Sequence, residues 1–162
     1  MRVSAVGFAF STENEVLTQA EQTAVITHDH PEGIKGAQAA ALAIFLARNG
    51  HDKETIRHRI MQGFRYDLNR TIDEIRPGYC FNISCQGTVP EAIIAFLDAD
   101  SWEDTIRNAV SLGGDSDTLA CIAGGIAQAF YIEISPDIRN RVKQILTPDL
   151  WEITEAFLSR YC

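Results

Sequence analysis

The sequence predicts an all-α fold, an orthogonal helical bundle, on three observations. Apolar or amphipathic runs of helix length follow one another down the chain. Most open on Ser or Thr followed by acidic residues, or on Pro, and one closes on Asn-Gly. No two segments alternate as a pair of half-buried strands would. With 162 residues and no repeat, low-complexity stretch or Gly-, Ser- or Pro-rich linker, one domain with a sizeable core is expected.

The opening run Val3 to Phe10 is short and apolar and fits a buried segment of either type. Ser11 or Thr12 caps a helix from Glu13 to about Thr27, whose early carboxylates favour the helix dipole. Pro31-Glu32 opens an alanine-rich apolar helix, Gly33 through Arg48, closed by Asn49-Gly50. Lys53 to Phe64 is amphipathic with a basic outer face. From Tyr66 to Gly87 the pattern weakens: Leu68 to Ile75 suits a helical turn or two, Pro77-Gly78 marks a turn, and Tyr79 to Gln86 reads as irregular. Thr88 with Glu91 forms a capping box around Pro90 and predicts a helix to about Asp98. Ser101 with Asp104 repeats the device for Trp102 to Ser111. Two further helices, Pro136 to Leu146 and Pro148 to Tyr161, each begin at Pro.

Between them lies Ser111-Leu112-Gly113-Gly114-Asp115-Ser116-Asp117-Thr118, followed by the uncharged run Leu119 to Tyr131. That run suits a helix buried on most sides, with Cys121 inside it, and would hold the preceding turn rigidly. Asp115, Asp117 and Thr118 place two carboxylates and a hydroxyl on one short turn, and such hard oxygens are what Mg²⁺, Mn²⁺ or Ca²⁺ prefer. Gly113 and Gly114 let the turn fold tightly. Residue type alone leaves a second reading open, an ordinary N-cap by Asp115, Ser116 or Asp117. A cap does not require the second Asp, and adjacent carboxylates repel unless a cation or solvent separates them.

A net charge of -8 argues against a nucleic-acid surface. An acidic chain that holds phosphate needs a cation to reverse the local field. No stretch has the length and purity of a membrane span, and the N-terminus has no signal-peptide plan, so a cytoplasmic location is expected. The four cysteines read as reduced thiols; zinc through Cys80 and Cys85 with His28 and His30 matches no familiar spacing. His28 and His30 fall on different sides of any helix, which makes them poor joint ligands. On residue type, capping the carbonyls that end the preceding helix is as good an account of a histidine here as a functional role.

Gly113-Gly114-Asp115-Ser116-Asp117-Thr118, with Ala123-Gly124-Gly125-Ile126-Ala127 behind it, resembles the C-terminal signature of the ADP-ribosylglycohydrolase family, which includes the dinitrogenase reductase-activating glycohydrolase. Thr27-His28-Asp29-His30-Pro31-Glu32-Gly33-Ile34-Lys35-Gly36-Ala37 resembles that family's His-containing segment, and Gly87-Thr88-Val89-Pro90-Glu91-Ala92 resembles a third block. The resemblance implies an all-helical fold and hydrolysis of the N- or O-glycosidic bond joining ADP-ribose to a protein side chain or small acceptor, with two Mg²⁺ or Mn²⁺ ions. It implies that Asp115, Asp117 and Thr118 are metal ligands and that His28 contacts an ADP-ribose-containing ligand.

The resemblance covers the family's C-terminal half. Met1-Arg2-Val3 is similar to the end of a glycine-rich phosphate-contacting loop, whose glycines have no counterpart here. The family's Gly-Asp segment with its acidic catalytic residue, and the Thr-Asp-Asp segment that completes the metal site, also have none, so no catalytic residue is assigned; Glu13-Asn14-Glu15 reads as a solvated first turn. Three readings follow: a hydrolase completed by an N-terminal partner chain or a second copy; a noncatalytic module binding a metal or ADP-ribose; and a helical oligomerisation or interaction protein. Half a core exposed would leave an apolar patch, which the latter two would use.

Overall fold

The computed structural model describes residues 1–162, which form α1 (Ser4–Ala9), α2 (Glu13–His28), α3 (Pro31–Arg48), α4 (Lys53–Phe64), α5 (Ile72–Ile75), α6 (Cys85–Leu97), α7 (Trp102–Ser111), α8 (Ser116–Tyr131), α9 (Pro136–Ile145) and α10 (Pro148–Tyr161). The fold is all-α, as expected. Local chemistry sets most starts. Thr12 accepts the Glu15 N–H while the Glu15 carboxylate accepts the Thr12 N–H at 3.0 Å, a capping box that satisfies donors the helix cannot. Asp52 caps α4 by accepting the Thr55 N–H at 2.7 Å, which holds the Asp52 carboxyl below the usual range. The run Val3 to Phe10 contains the short helix α1.

The core is organised around α3, α6 and α8. Alanine-rich α3 buries Ala39 to Ile44, Leu46 and Ala47 and packs on α1, α2, α4, α6 and α8. Small side chains permit this crowding. A methyl group on Gly7 would lie 2.6 Å from Ile44 Cβ, and one on Gly124 2.8 Å from Ile106 Cδ1, so α1 rests against α3 and α7 against α8 backbone to side chain. Phe96 is fully buried between the edges of Phe130 (centroids 5.3 Å) and Tyr131 (6.4 Å). The Lys53 ammonium sits 5.4 Å from the Phe96 centroid and donates to the carbonyls of Leu97 and Ala99, closing the C-terminus of α6. Desolvation there pushes the Lys53 amine down, against the pull of Asp100, Asp98 and Asp104. α9 buries no residue and α10 only Trp151, so the last two helices lie at the periphery.

Four expectations are corrected. The helix predicted to open on Thr88 begins five residues before Pro90, at Cys85, with Ser84 as its cap accepting the Gly87 N–H at 3.2 Å. Thr88 is buried and donates instead to the Asn82 carbonyl, and Glu91 makes a bidentate pair with Arg70 at 3.0 and 2.9 Å. Cys121 is exposed: the uncharged run Leu119 to Tyr131 within α8 has one open side. The first turn of α2 is solvated at Asn14 and Glu15, but half-exposed Glu13 is paired: Arg59 Nη2 reaches both its oxygens at 2.7 and 2.5 Å. At α7 only half the capping box forms; Ser101 accepts the Asp104 N–H, while the Asp104 carboxylate takes the N–H of Asp100.

Candidate functional site

A cleft of about 420 Å³ opens where α2 ends, α3 and α6 begin, and the turn before α8 meets them. Its lining draws on all three sequence blocks: His28, Gly33, Gly36 and Ala37 from the first, Thr88 and Val89 from the second, Asp115 and Thr118 from the third. Residues nearly ninety positions apart in the chain thus converge on one cavity. Glycines make the convergence possible. A methyl on Gly33 would lie 2.9 Å from the His28 carbonyl oxygen, and one on Gly36 3.1 Å from Cys85 Cβ, so α3 can receive the end of α2 and the start of α6.

The acidic turn is built as its glycines suggest. Gly113 and Gly114 take φ of 72° and 62°, the left-handed region. Gly114 is also a contact: a methyl there would stand 3.1 Å from Tyr79 Cε1 and 3.2 Å from Phe81 Cα. Gly113 has nothing within 4 Å of that position. Gly114→Ala is therefore expected to destabilise by about 2 kcal/mol and Gly113→Ala by about 1 kcal/mol, because both pay backbone strain and only one also displaces the Tyr79–Phe81 loop. Denaturant midpoints of the two variants check this; equal losses would mean that the loop does not brace the turn.

Asp115 occupies the N-cap position of α8, yet its side chain accepts no hydrogen bond from the first turn. The cap reading thus fails for Asp115 in its ordinary form, and its carboxylate remains available on the cleft wall. Asp117 is exposed and lies outside the cleft lining, with Oδ1 accepting the Thr118 N–H at 2.8 Å. A hydrogen bond shared with Asp115, then that N–H, holds the Asp117 carboxyl below the usual range. Two carboxyl groups within reach of each other need a proton or a cation between them. With the Thr118 hydroxyl this donor set is all hard oxygen and suits Mg²⁺ or Mn²⁺. It is also short of ligands: no three His, Cys, Asp or Glu side chains are gathered anywhere in the chain, so Cys80, Cys85, His28 and His30 form no zinc-type cluster either.

The two histidines have separate places. His28 ends α2 and lines the cleft, with Nδ1 2.7 Å from the Thr27 hydroxyl. His30 is the N-cap of α3, its Nδ1 accepting the Glu32 N–H at 3.2 Å, so it caps the helix that follows and not the one before. Tyr79 donates to the Gly87 carbonyl at 3.1 Å between the acidic turn and α6, and burial pushes its phenol up. The lining also includes Ile83, which the sequence reading did not single out, Cys85, which it weighed only as a zinc ligand, and Arg2. For Arg2 a signal existed, since it lies in a segment already matched to a phosphate-contacting loop.

Known proteins carry the same architecture. The chain is 28% identical over 182 residues to ADP-ribosylhydrolase ARH3 of Homo sapiens, covering 81% of this chain and 48% of that protein. It is 31% identical over 117 residues to ADP-ribosylarginine hydrolase Tri1 of Pseudomonas putida (strain GB-1), covering 65% of this chain and 30% of that one. A solved structure described as an ADP-ribosylglycohydrolase-related protein complex superposes with a TM-score of 0.62 at 26% identity, over 78% of this chain and 46% of the other. The chain therefore spans about half the length of the curated relatives it matches most fully. The family model for ADP-ribosylglycohydrolase matches residues 1–162, and with the helical fold and the converging blocks this places the chain in the ADP-ribosylglycohydrolase family.

Proposed function

We propose that the cleft binds an ADP-ribose-containing ligand together with Mg²⁺ or Mn²⁺, and that the chain forms one wall of a hydrolase site cleaving the glycosidic bond of an ADP-ribosylated protein or small acceptor. The observation that carries this is the convergence of His28, Asp115 and Thr118 on one cavity of ligand size. Asp115, Asp117 and Thr118 would hold the metal. Such an ion, when bound, supplies Lewis-acid polarisation of ribose oxygens or water and offsets the negative field of an acidic chain around a diphosphate. The chain's own residues bind and orient: small side chains on α3 admit the ligand, His28 offers a ring nitrogen, and the braced turn holds its carboxylates in place. Turnover would draw on further carboxylates from outside residues 1–162, which an N-terminal partner chain or a second copy could bring to the open side of the cleft. Full activity is thus a property of the completed site.

A noncatalytic binding role is the second reading, and exposed apolar side chains favour a protein partner in either case. Ile83, 82% exposed, lies on the cleft rim with Met1, while Ile26 and Phe81 are also exposed. Calorimetric titration of ADP-ribose into the chain tests the proposal. Binding is expected with Mg²⁺ and is expected to weaken at least tenfold with a chelator, about 1.4 kcal/mol. Absence of binding with Mg²⁺, or binding indifferent to the chelator, would contradict it.

A further inference from the structure

We infer that Arg2 and Thr27 form a relay that sets the tautomer of His28, presenting its Nε2–H as a hydrogen-bond donor to an acceptor oxygen of the ligand in the cleft. The ligand half of this inference rests on the proposed binding of ADP-ribose; the tautomer half does not. Arg2 Nη2 donates to the Thr23 carbonyl at 2.9 Å and to the Thr27 hydroxyl oxygen at 2.5 Å. Guanidinium has no acceptor, so Thr27 Oγ1 must accept. The hydroxyl makes one other contact, with His28 Nδ1 at 2.7 Å. Nδ1 is thus the one protein acceptor within reach of the hydroxyl proton, and in the inferred arrangement Thr27 donates to an unprotonated Nδ1. In the neutral ring the proton then sits on Nε2, the nitrogen left free.

The geometry ties together two segments far apart in sequence. Arg2 precedes α1 and Thr27 lies in the last turn of α2, 25 residues on; the same guanidinium nitrogen holds the Thr23 carbonyl one turn earlier. Arg2 and His28 both line the cleft. A ring fixed at Nδ1 loses less rotational freedom when a ligand oxygen engages Nε2, which is how a neighbour that never touches ligand contributes to affinity. Thr27, outside the cleft lining, is the positioning residue in this account; Arg2 orients it from the cleft wall, and His28 is the contact.

The test is ¹⁵N NMR of the imidazole in the ligand-free protein at a pH where His28 is neutral, combined with ADP-ribose titration in Mg²⁺. The wild type is expected to give one Nε2–H tautomer. Thr27→Val and Arg2→Met should shift both ring nitrogens toward the averaged values of a tautomer mixture and weaken ADP-ribose about fivefold to tenfold. Thr27→Ser keeps the hydroxyl and should restore both readouts. All three positions are exposed, and circular dichroism checks that each variant keeps its helix content. A protonated Nδ1 in the wild type, or ring shifts unaffected by Thr27→Val, would overturn the relay. If the wild type binds no ADP-ribose, the ligand role falls while the imidazole spectrum still decides the tautomer.

Discussion

Phe96→Ala is expected to destabilise the protein by about 3–5 kcal/mol, the range for truncating a fully buried aromatic ring. Phe96 is inaccessible to solvent, and its removal leaves Phe130 and Tyr131 facing a void. It also removes one of three rings around the half-buried Lys53 ammonium, whose distances to the Phe130 and Tyr131 centroids are 5.8 and 5.5 Å. Both effects act on the C-terminus of α6, the helix whose other end lines the cleft. For a chain of this length such a loss lowers Tm by roughly 6–20 °C. Calorimetry checks it, and a loss under about 1 kcal/mol would mean that α4, α6 and α8 repack freely and do not brace the site.

Asp115→Ala is expected to leave the stability of the metal-free protein unchanged or to raise it. The side chain caps nothing, so truncation removes no helix cap; it gives up the hydrogen bond shared with Asp117 and relieves the like-charge contact between the two carboxyl groups, and the two effects offset one another. An N-cap aspartate would behave in the opposite way, with about 1 kcal/mol lost on replacement by Ala. The same variant is expected to abolish every effect of Mg²⁺ on the protein. Gain or neutrality without metal, together with loss of the response to metal, marks a residue kept for binding and not for folding.

Most of the fold was legible because helix starts are local. Thr12 with Glu15, Asp52 with Thr55, and Pro31, Pro136 and Pro148 each act within one turn, and the helices begin where these signals stand. The start of α6 was not legible for the complementary reason. Thr88 and Glu91 have capping-box spacing, but Asn82 takes the hydroxyl and Arg70, 21 residues away, takes the carboxylate. Pro90 then sits inside the helix, where the bond it cannot make would go to the carbonyl of Gln86, an exposed residue that water can reach. The open side carrying Cys121 was hidden by a run without charge, in which Gln128, two turns further on, is the one strongly polar side chain to mark the outward face. At the site, the glycine turn was readable from residue type, since Gly113 and Gly114 do adopt positive φ. The Arg2–Thr27–His28 contact was not, because nothing in the spacing of positions 2 and 27 announces it.

Thermal unfolding of the wild type and Asp115→Ala, each with and without Mg²⁺ plus ADP-ribose, tests the binding site most directly, because a ligand that binds only the folded state raises its stability. With ligand at a hundredfold its Kd, the wild type is expected to gain about 2.7 kcal/mol, or roughly 5–10 °C in Tm, and the variant none. No gain in the wild type, or an equal gain in the variant, would contradict a metal-assisted ADP-ribose site at the acidic turn.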